Sequence, residues 1–179
     1  MNKAEIIQQP YLVSHTFAND GIFPNSDLPL VVYKGALLLH PDENDETVKA
    51  IFNSNGWTNA WSGDIYTYHH YHSTTHEVLG IVCGQADVQF GGDEGVCIEL
   101  FRGDVVIIPA GVAHKCLKST HDFGCVGAYP SGSGYDIQYG KDDERPAADK
   151  RIKLLPLPES DPVYGKEGYL TELWQPVRG

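Results

Sequence analysis

Between residues 57 and 129 the sequence consists of short apolar segments separated by turns that contain glycine. The turns lie at residues 83–85, 91–95, 102–104 and 109–111. Many short strands joined by glycine-rich turns are typical of an all-β sandwich or barrel. The strands predicted here are Asp64–His72, Glu77–Cys83, Ala86–Phe90, Val96–Phe101, Val105–Ile108, His114–Leu117 and Phe123–Tyr129.

One of these strands, Val105–Ile108, is apolar at every position. A strand with one face in water alternates apolar and polar residues, so this strand is predicted to be covered on both faces. Its outer cover is either a second subunit or the chain's own ends.

The chain is predicted to be a single domain, with the barrel in about residues 57–129. Residues 1–56 form an N-terminal arm that includes one helix, Asp42–Asn55, whose apolar residues recur at helical spacing. Residues 130–179 are predicted to be an irregular C-terminal extension, because three prolines break any regular element there. This extension is expected to pack on the barrel through its aromatic side chains, which are Tyr164, Tyr169 and Trp174.

Composition excludes several classes of partner. The formal net charge is -11 and the pI about 5.0, which disfavours binding to nucleic acid or to an anionic membrane surface. There is no apolar run long enough to span a membrane and no apolar core of a signal peptide, so a cytoplasmic location is expected. Without a CxxC pair, the four cysteines are interpreted as buried free thiols.

Four side chains that can bind a metal ion lie at spacings that can bring them together in a barrel. His70 and His72 are two residues apart, so both side chains point to one face of a strand. Residues 73–75 can form a turn, after which Glu77 begins the next antiparallel strand and can face the same interior. His114 follows a Pro-x-Gly turn that can direct it into the barrel. Three imidazoles and a carboxylate suit Fe, Mn, Ni, Co, Cu or Zn, and ligand type alone does not select among these divalent ions.

These spacings resemble the two motifs of the cupin superfamily. The first motif is matched by Gly63, His70-x-His72, Glu77 and Gly84, with a first spacer one residue longer than usual. The second is matched by residues 103–114, from Gly103 through Pro109-x-Gly111 to His114, although Lys118 replaces the usual final Asn. Longer segments at 28–37 and 70–80 are also similar to the YjlB-like group of cupins.

The resemblance implies an RmlC-like jelly roll, also called a double-stranded β-helix, with His70, His72, Glu77 and His114 as metal ligands. It also implies a homodimer. Lys118 shares strand parity with His114 and is predicted to line the barrel mouth.

Other histidines have plainer interpretations. His69 has the opposite parity to His70 and should face outward, while His76 is either a supporting group or an alternative ligand to Glu77. A helical metal pair of His72 and His76 is disfavoured, because strand-forming residues flank both. The isolated residues His15, His40 and His121 are interpreted as ordinary surface or core histidines.

These four candidate ligands predict a metal-dependent enzyme that acts on a small organic molecule, because they leave coordination positions on the metal ion open for a substrate. Dioxygenase-type oxidoreductase chemistry is the first expectation, with isomerase or lyase chemistry as an alternative. Tyr66 and Tyr68 share parity with His70 and are predicted to line the pocket. Two other classes of protein stay open. One is a binding module that holds a ligand or metal without catalysis, and the other is a barrel that only self-associates.

Overall fold

The computed structural model describes residues 2–176, and nine strands there form two antiparallel sheets. The strands are β1 (Tyr11–Phe17), β2 (Ser26–Lys34), β3 (Trp57–Gly63), β4 (Glu77–Cys83), β5 (Gln85–Phe90), β6 (Val96–Phe101), β7 (Val105–Ile108), β8 (His114–Ser119) and β9 (Gly124–Pro130). The helices are α1 (Lys3–Ile6), α2 (Asp45–Ser54), α3 (Ala147–Leu154) and α4 (Tyr169–Leu173). The larger sheet has the order β1-β2-β7-β4-β9-β3, and the smaller has the order β6-β5-β8. This arrangement confirms the predicted all-β jelly-roll barrel.

The apolar strand β7 lies between β2 and β4 and is buried at all four positions, as predicted. Its side chains alternate between two cores: Val106 and Ile108 pack inside the barrel, whereas Val105 and Ile107 pack against the outer face of the larger sheet. The outer core is completed by the chain itself, through residues of α1, α2 and the C-terminal extension. The run therefore needs no second subunit to cover it, and the predicted homodimer rests on the family resemblance alone.

The segments outside the predicted barrel take part in the fold. The N-terminal arm supplies β1 and β2 to the larger sheet, and α2 covers that sheet. The helix α2 is shorter than predicted, because the Asn44 side chain accepts a hydrogen bond from the Glu46 amide and so begins it there. The C-terminal extension packs on the barrel as expected, but it is not wholly irregular, since it contains α3 and α4.

None of the four cysteines, all in the described part of the chain, is paired. Cys116 and Cys125 are buried free thiols as predicted. The same expectation is wrong for Cys97, which is exposed, and for Cys83, which is only half-buried.

The predicted strand Asp64–His72 is wrong. The strand of this region is β3, which pairs with β9 and ends at Gly63. The chain then lies beside β8 without a regular ladder: the Cys116 amide donates to the Tyr66 carbonyl, and His70 forms an isolated bridge with His114. Between these two contacts the segment advances four residues and β8 only two, so the backbones cannot pair residue by residue and the local strand preference is overridden.

Gly80 of β4 lies directly beneath helix α2. A Cβ atom there would lie 2.8 Å from Val48 and 2.9 Å from Phe52. Gly80→Ala is therefore expected to lower the free energy of unfolding by about 1–3 kcal/mol through overpacking. Gly124→Ala, in β9, is the matched control, because its Cβ would meet only Val82 at 3.7 Å. Urea unfolding of both variants checks this, and equal losses of stability would contradict it.

Candidate metal centre

The alternation of side chains along the chain places Glu77, the first residue of β4, and the preceding His76 on opposite faces. Glu77 lies on the same face as Leu79 and Ile81, which point into the barrel, and is 3% exposed. His76 lies on the other face, where its ring packs on Trp174 with ring centroids 4.8 Å apart. The structure thus directs Glu77, and not His76, towards the predicted site.

Three histidines meet Glu77 inside the barrel. The candidate ligand nitrogens of His70, His72 and His114 all lie within 4.8 Å of one another, and each residue is at least 95% buried. The Glu77 Oε1 atom lies 3.4 Å from Nε2 of His72 and 3.5 Å from Nε2 of His114. Backbone bonds between His70 and His114, of 2.9 and 3.2 Å, hold the first and last of these residues side by side.

The backbone sets the orientation of each imidazole. The Nδ1 atom of His70 contacts the Tyr68 carbonyl at 3.1 Å, and Nδ1 of His114 contacts the Val112 carbonyl at 3.0 Å. Nδ1 of His72 contacts the carbonyl oxygen of Asp136. A carbonyl can only accept, so in each neutral ring Nδ1 carries the proton and Nε2 keeps a free lone pair. The Nε2 atoms of His72 and His114 are buried and have no hydrogen-bond partner among the residues described.

The charges of this arrangement favour a cation at its centre. Lone pairs on two Nε2 atoms face a carboxylate oxygen at 3.4–3.5 Å, and such contacts are repulsive unless a cation lies between them. A divalent ion or a proton can meet this requirement. Imidazole nitrogen and carboxylate oxygen are suitable donors for a transition metal, so the residues present fit the ion that the fold family implies.

Burial and the neighbouring charges shift the pKa values of the site's groups in opposite directions. Burial lowers the pKa of His70 to about 2, with the neighbouring His114 adding to the effect. Burial also opposes protonation of His72, but the Glu77 carboxylate outweighs it, so the pKa of His72 is raised. Burial alone would raise the pKa of Glu77, yet the adjacent imidazoles of His72 and His114 lower it well below its ordinary value.

The metal-free protein is expected to lose stability as the pH falls below about 6.5. Burial holds the pKa of His70 at about 2 and that of His76 at about 4, both below the ordinary histidine value. Between pH 6 and 5 the unfolded chain therefore binds protons at these two positions that the folded protein does not, which favours unfolding, whereas His72, whose pKa is raised, is protonated in both states there. Each of the two histidines contributes about 1.2 kcal/mol over this pH unit.

Urea unfolding in EDTA at pH 6.5, 6.0, 5.5 and 5.0 measures this slope. His76→Gln is expected to reduce the slope, because it removes one of the two groups. A free energy of unfolding that stays constant over this range would contradict the prediction.

The second oxygen of Glu77 also accepts a hydrogen bond. The Tyr129 hydroxyl donates a hydrogen bond of 2.7 Å to Oε2, and the Trp61 indole donates a hydrogen bond of 2.7 Å to the Tyr129 hydroxyl oxygen. The sequence motifs did not indicate Trp61 or Tyr129, because neither lies within the cupin-like pattern.

The C-terminal extension holds the segment that carries His70 and His72. Tyr71 and Gln138 exchange two backbone hydrogen bonds of 2.9 Å. The Asp136 carboxylate accepts hydrogen bonds from the amides of Ser73 and Thr74 at 2.7 and 3.0 Å. Sequence reasoning missed this contribution, since no local pattern in residues 130–140 distinguishes it from an ordinary loop.

A cavity of about 390 Å³ adjoins the four candidate ligands. Its volume suits a small organic molecule. The acidic residues in its lining are Glu77 and the exposed Asp64. The apolar and aromatic part of the lining consists of Trp61, Ile65, Tyr66, Leu79, Tyr129 and Tyr135.

Two further predictions about pocket residues need correction. Tyr66 lines the cavity as predicted, but Tyr68 does not and stacks on Tyr66 with ring centroids 5.0 Å apart. Lys118 is exposed and lies opposite Asp87, away from the cavity. The pairing of β8 with β5 shifts register beside Leu117, so the expected alternation from His114 fails before it reaches Lys118.

The remaining histidines agree with their plainer interpretations. Nε2 of His69 contacts the Asp93 carboxylate at 2.8 Å, on the outside of the site. Residues 72–76 are not helical, which confirms that His72 and His76 do not form a helical pair. None of the isolated histidines joins the candidate ligands; they are His15, His40 and His121.

Comparison with known proteins gives one strong relative. The chain is 47% identical over 162 residues to the uncharacterized protein YjlB of Bacillus subtilis (strain 168), an alignment that covers 90% of this chain and 95% of YjlB. The chain belongs to the YjlB family. A comparison of this YjlB-family chain with protein-family models finds no match. No helix between residues 2 and 176 is long and apolar enough to cross a membrane.

Solved structures resemble the YjlB-family chain only distantly. Acireductone dioxygenase from Bacillus anthracis, solved with a cadmium ion in its active centre, is 15% identical with a TM-score of 0.42, and the match covers 74% of this chain and 85% of that one. A DUF861 family protein from Thermotoga maritima is 20% identical with a TM-score of 0.33, covering 48% and 90%. The 11S allergen of Cocos nucifera is 17% identical with a TM-score of 0.36, covering 54% of this chain; the chain spans 32% of that allergen's length.

Proposed function

We propose that His70, His72, His114 and Glu77 hold one divalent transition-metal ion. The observation that carries this proposal is the pair of buried, unpartnered Nε2 atoms of His72 and His114 that face the Glu77 carboxylate. Unsatisfied polar atoms at this depth are rare in folded proteins, because each costs free energy. A metal ion would satisfy the nitrogens and the carboxylate together.

We further propose that the metal-loaded protein is an enzyme of the dioxygenase type acting on a small organic molecule. The cavity beside the ligands supports this, because its aromatic and aliphatic walls can hold a largely apolar body against the metal. Four protein ligands leave about two positions open on a six-coordinate ion. Lewis-acid activation of a substrate oxygen is the chemistry such an ion supplies, and a redox-active ion adds activation of O₂.

Metal analysis tests the first part of the proposal. The purified protein is stripped with a chelator, dialysed against Fe(II), Mn(II), Co(II), Ni(II), Cu(II) or Zn(II) in turn, and analysed by plasma mass spectrometry. One ion per chain is expected with at least one of these metals. Less than a tenth of an equivalent with every metal would overturn the proposal.

Oxygen consumption tests the second part. The loaded protein is incubated with small phenols, thiols and diketones while dissolved O₂ and products are followed. Consumption of O₂ that depends on both metal and substrate is expected. Tight binding of such molecules without chemical change would instead identify a binding module that is not catalytic.

A further inference from the structure

We propose that Tyr129 and Trp61 position the Glu77 carboxylate so that it offers a single oxygen, Oε1, to the metal ion. This inference rests on the proposed function, because it assigns both residues a role towards the ion. Neither residue belongs to the histidine and glutamate pattern, and neither is a ligand; each acts through Glu77.

The direction of the hydrogen bonds follows from the chemistry of the three groups. An indole N–H can only donate, so Trp61 Nε1 occupies a lone pair of the Tyr129 hydroxyl oxygen at 2.7 Å. An ionised carboxylate can only accept, so the Tyr129 proton points to Glu77 Oε2, also at 2.7 Å. The chain of bonds therefore runs one way, from Trp61 through Tyr129 to Glu77. Oε2 is held by this bond while Oε1 faces the imidazoles of His72 and His114.

An irregularity in β3 brings Trp61 into this position. The pairing of β3 with β9 shifts register between Thr58 and Trp61, where Asn59 has a φ of 56°. The extra residue is a bulge, and it moves Trp61 opposite Gly127. A Cβ atom on Gly127 would lie 2.3 Å from the indole ring, so only glycine leaves room for Trp61 there. Tyr129 follows two residues later on the same face of β9.

The hydrogen bond between Tyr129 and Glu77 is buried. Tyr129 is 0% exposed and Glu77 is 3% exposed, so water does not compete for Oε2. A carboxylate can bind a metal through one oxygen or through both. Oε2 keeps a second lone pair, but turning the carboxylate to bring both oxygens to the ion would stretch its bond from the buried hydroxyl without replacement by water. The Tyr129 bond therefore holds the carboxylate in the orientation in which Oε1 is the oxygen presented to the ion.

The test compares variants loaded with Co(II), whose visible absorption reports the number and kind of its ligands. Tyr129→Phe is expected to weaken Co(II) binding about 10–100-fold, the usual cost of removing a hydrogen bond to a metal ligand. Its visible absorption bands should shift, because Oε2 is released. Trp61→Phe should weaken binding about threefold, since it removes only the support of the Tyr129 bond. The double variant should match Tyr129→Phe within about twofold, because Trp61 acts only through the hydroxyl.

Tyr33→Phe is the matched control. The Tyr33 hydroxyl donates to the buried carboxylate of Asp161 in the outer core, so the same type of bond is removed far from the cavity. This variant should lose stability but keep the wild-type Co(II) affinity and spectrum. If Tyr129→Phe fails to fold, the affinity and spectrum of Trp61→Phe decide the question.

Distinct outcomes separate the two proposals. A wild-type protein that binds no Co(II) or other metal overturns the proposed function and this inference together. Wild-type binding with an unchanged affinity and spectrum in Tyr129→Phe overturns the inference alone. Effects of Trp61→Phe and Tyr129→Phe that multiply in the double variant also overturn it, because they would show that Trp61 acts independently of Tyr129.

Discussion

The His114→Ala variant is expected to bind a divalent transition metal about 10²–10³-fold more weakly than the wild type. His114 is 0% exposed, and its unpartnered Nε2 atom lies 3.5 Å from Glu77 Oε1. Binding of a structural zinc ion contributes about 10–16 kcal/mol over four ligands, so the loss of one ligand corresponds to a few kcal/mol. Each 1.4 kcal/mol is a tenfold change in affinity. Competition with a chromophoric chelator measures the dissociation constant.

The control for this variant is His69→Ala. His69 precedes a proposed ligand in the chain, but its Nε2 atom contacts the Asp93 carboxylate outside the site. Its removal is expected to leave the metal affinity unchanged within about twofold, since an interaction on the outside of the site has little effect on the ion. Loss of affinity in both variants, or in neither, would contradict the assignment of His114 as a ligand. Thermal denaturation with and without metal gives a second measure, because an ion that binds only the folded protein raises the unfolding temperature.

The candidate site was predictable from sequence because the spacing of its ligands is local. The two-residue spacing of His70 and His72 indicated a shared face, and both side chains point to the centre, although isolated bridges rather than a regular strand hold them there. The parity of β4 likewise explains why Glu77 faces inward and His76 outward. These relations are local, so a single sequence contains them.

What sequence reasoning missed depends on contacts between distant segments. The segment 64–72 has strand-forming residues, yet it lies beside β8 as irregular chain, because its backbone hydrogen bonds to that strand are out of step and form no ladder. Lys118 was placed at the mouth of the barrel by alternation, which the register shift in β8 interrupts. The inward position of Trp61 likewise depends on the bulge at Asn59, whose effect is visible only once β3 is paired with β9.

Asp136 is the site residue for which local sequence contained the least signal, and its replacement is expected to have a large effect. Its carboxylate accepts from the backbone amides and hydroxyls of Ser73 and Thr74 and from the Gln138 amide at 3.0 Å. These donors hold the pKa of Asp136 at about 2, despite the opposing effect of burial. Asp136→Ala leaves two backbone N–H groups without their acceptor, which is expected to lower the free energy of unfolding by about 2–4 kcal/mol at pH 7. Urea unfolding of the metal-free variant measures this loss.

The same substitution should weaken metal binding about 10–100-fold, because the carbonyl of Asp136 sets the orientation of His72 through Nδ1. Once the carboxylate no longer anchors residues 73–74, that carbonyl is free to move away from the imidazole. Asp149→Ala is the matched control: the half-buried Asp149 carboxylate of the same extension accepts two hydrogen bonds from Arg145, at 2.7 and 2.9 Å. Its loss should cost about 1 kcal/mol and leave the metal affinity unchanged. A folded Asp136→Ala protein with wild-type affinity would show that the extension stabilises the barrel without orienting His72.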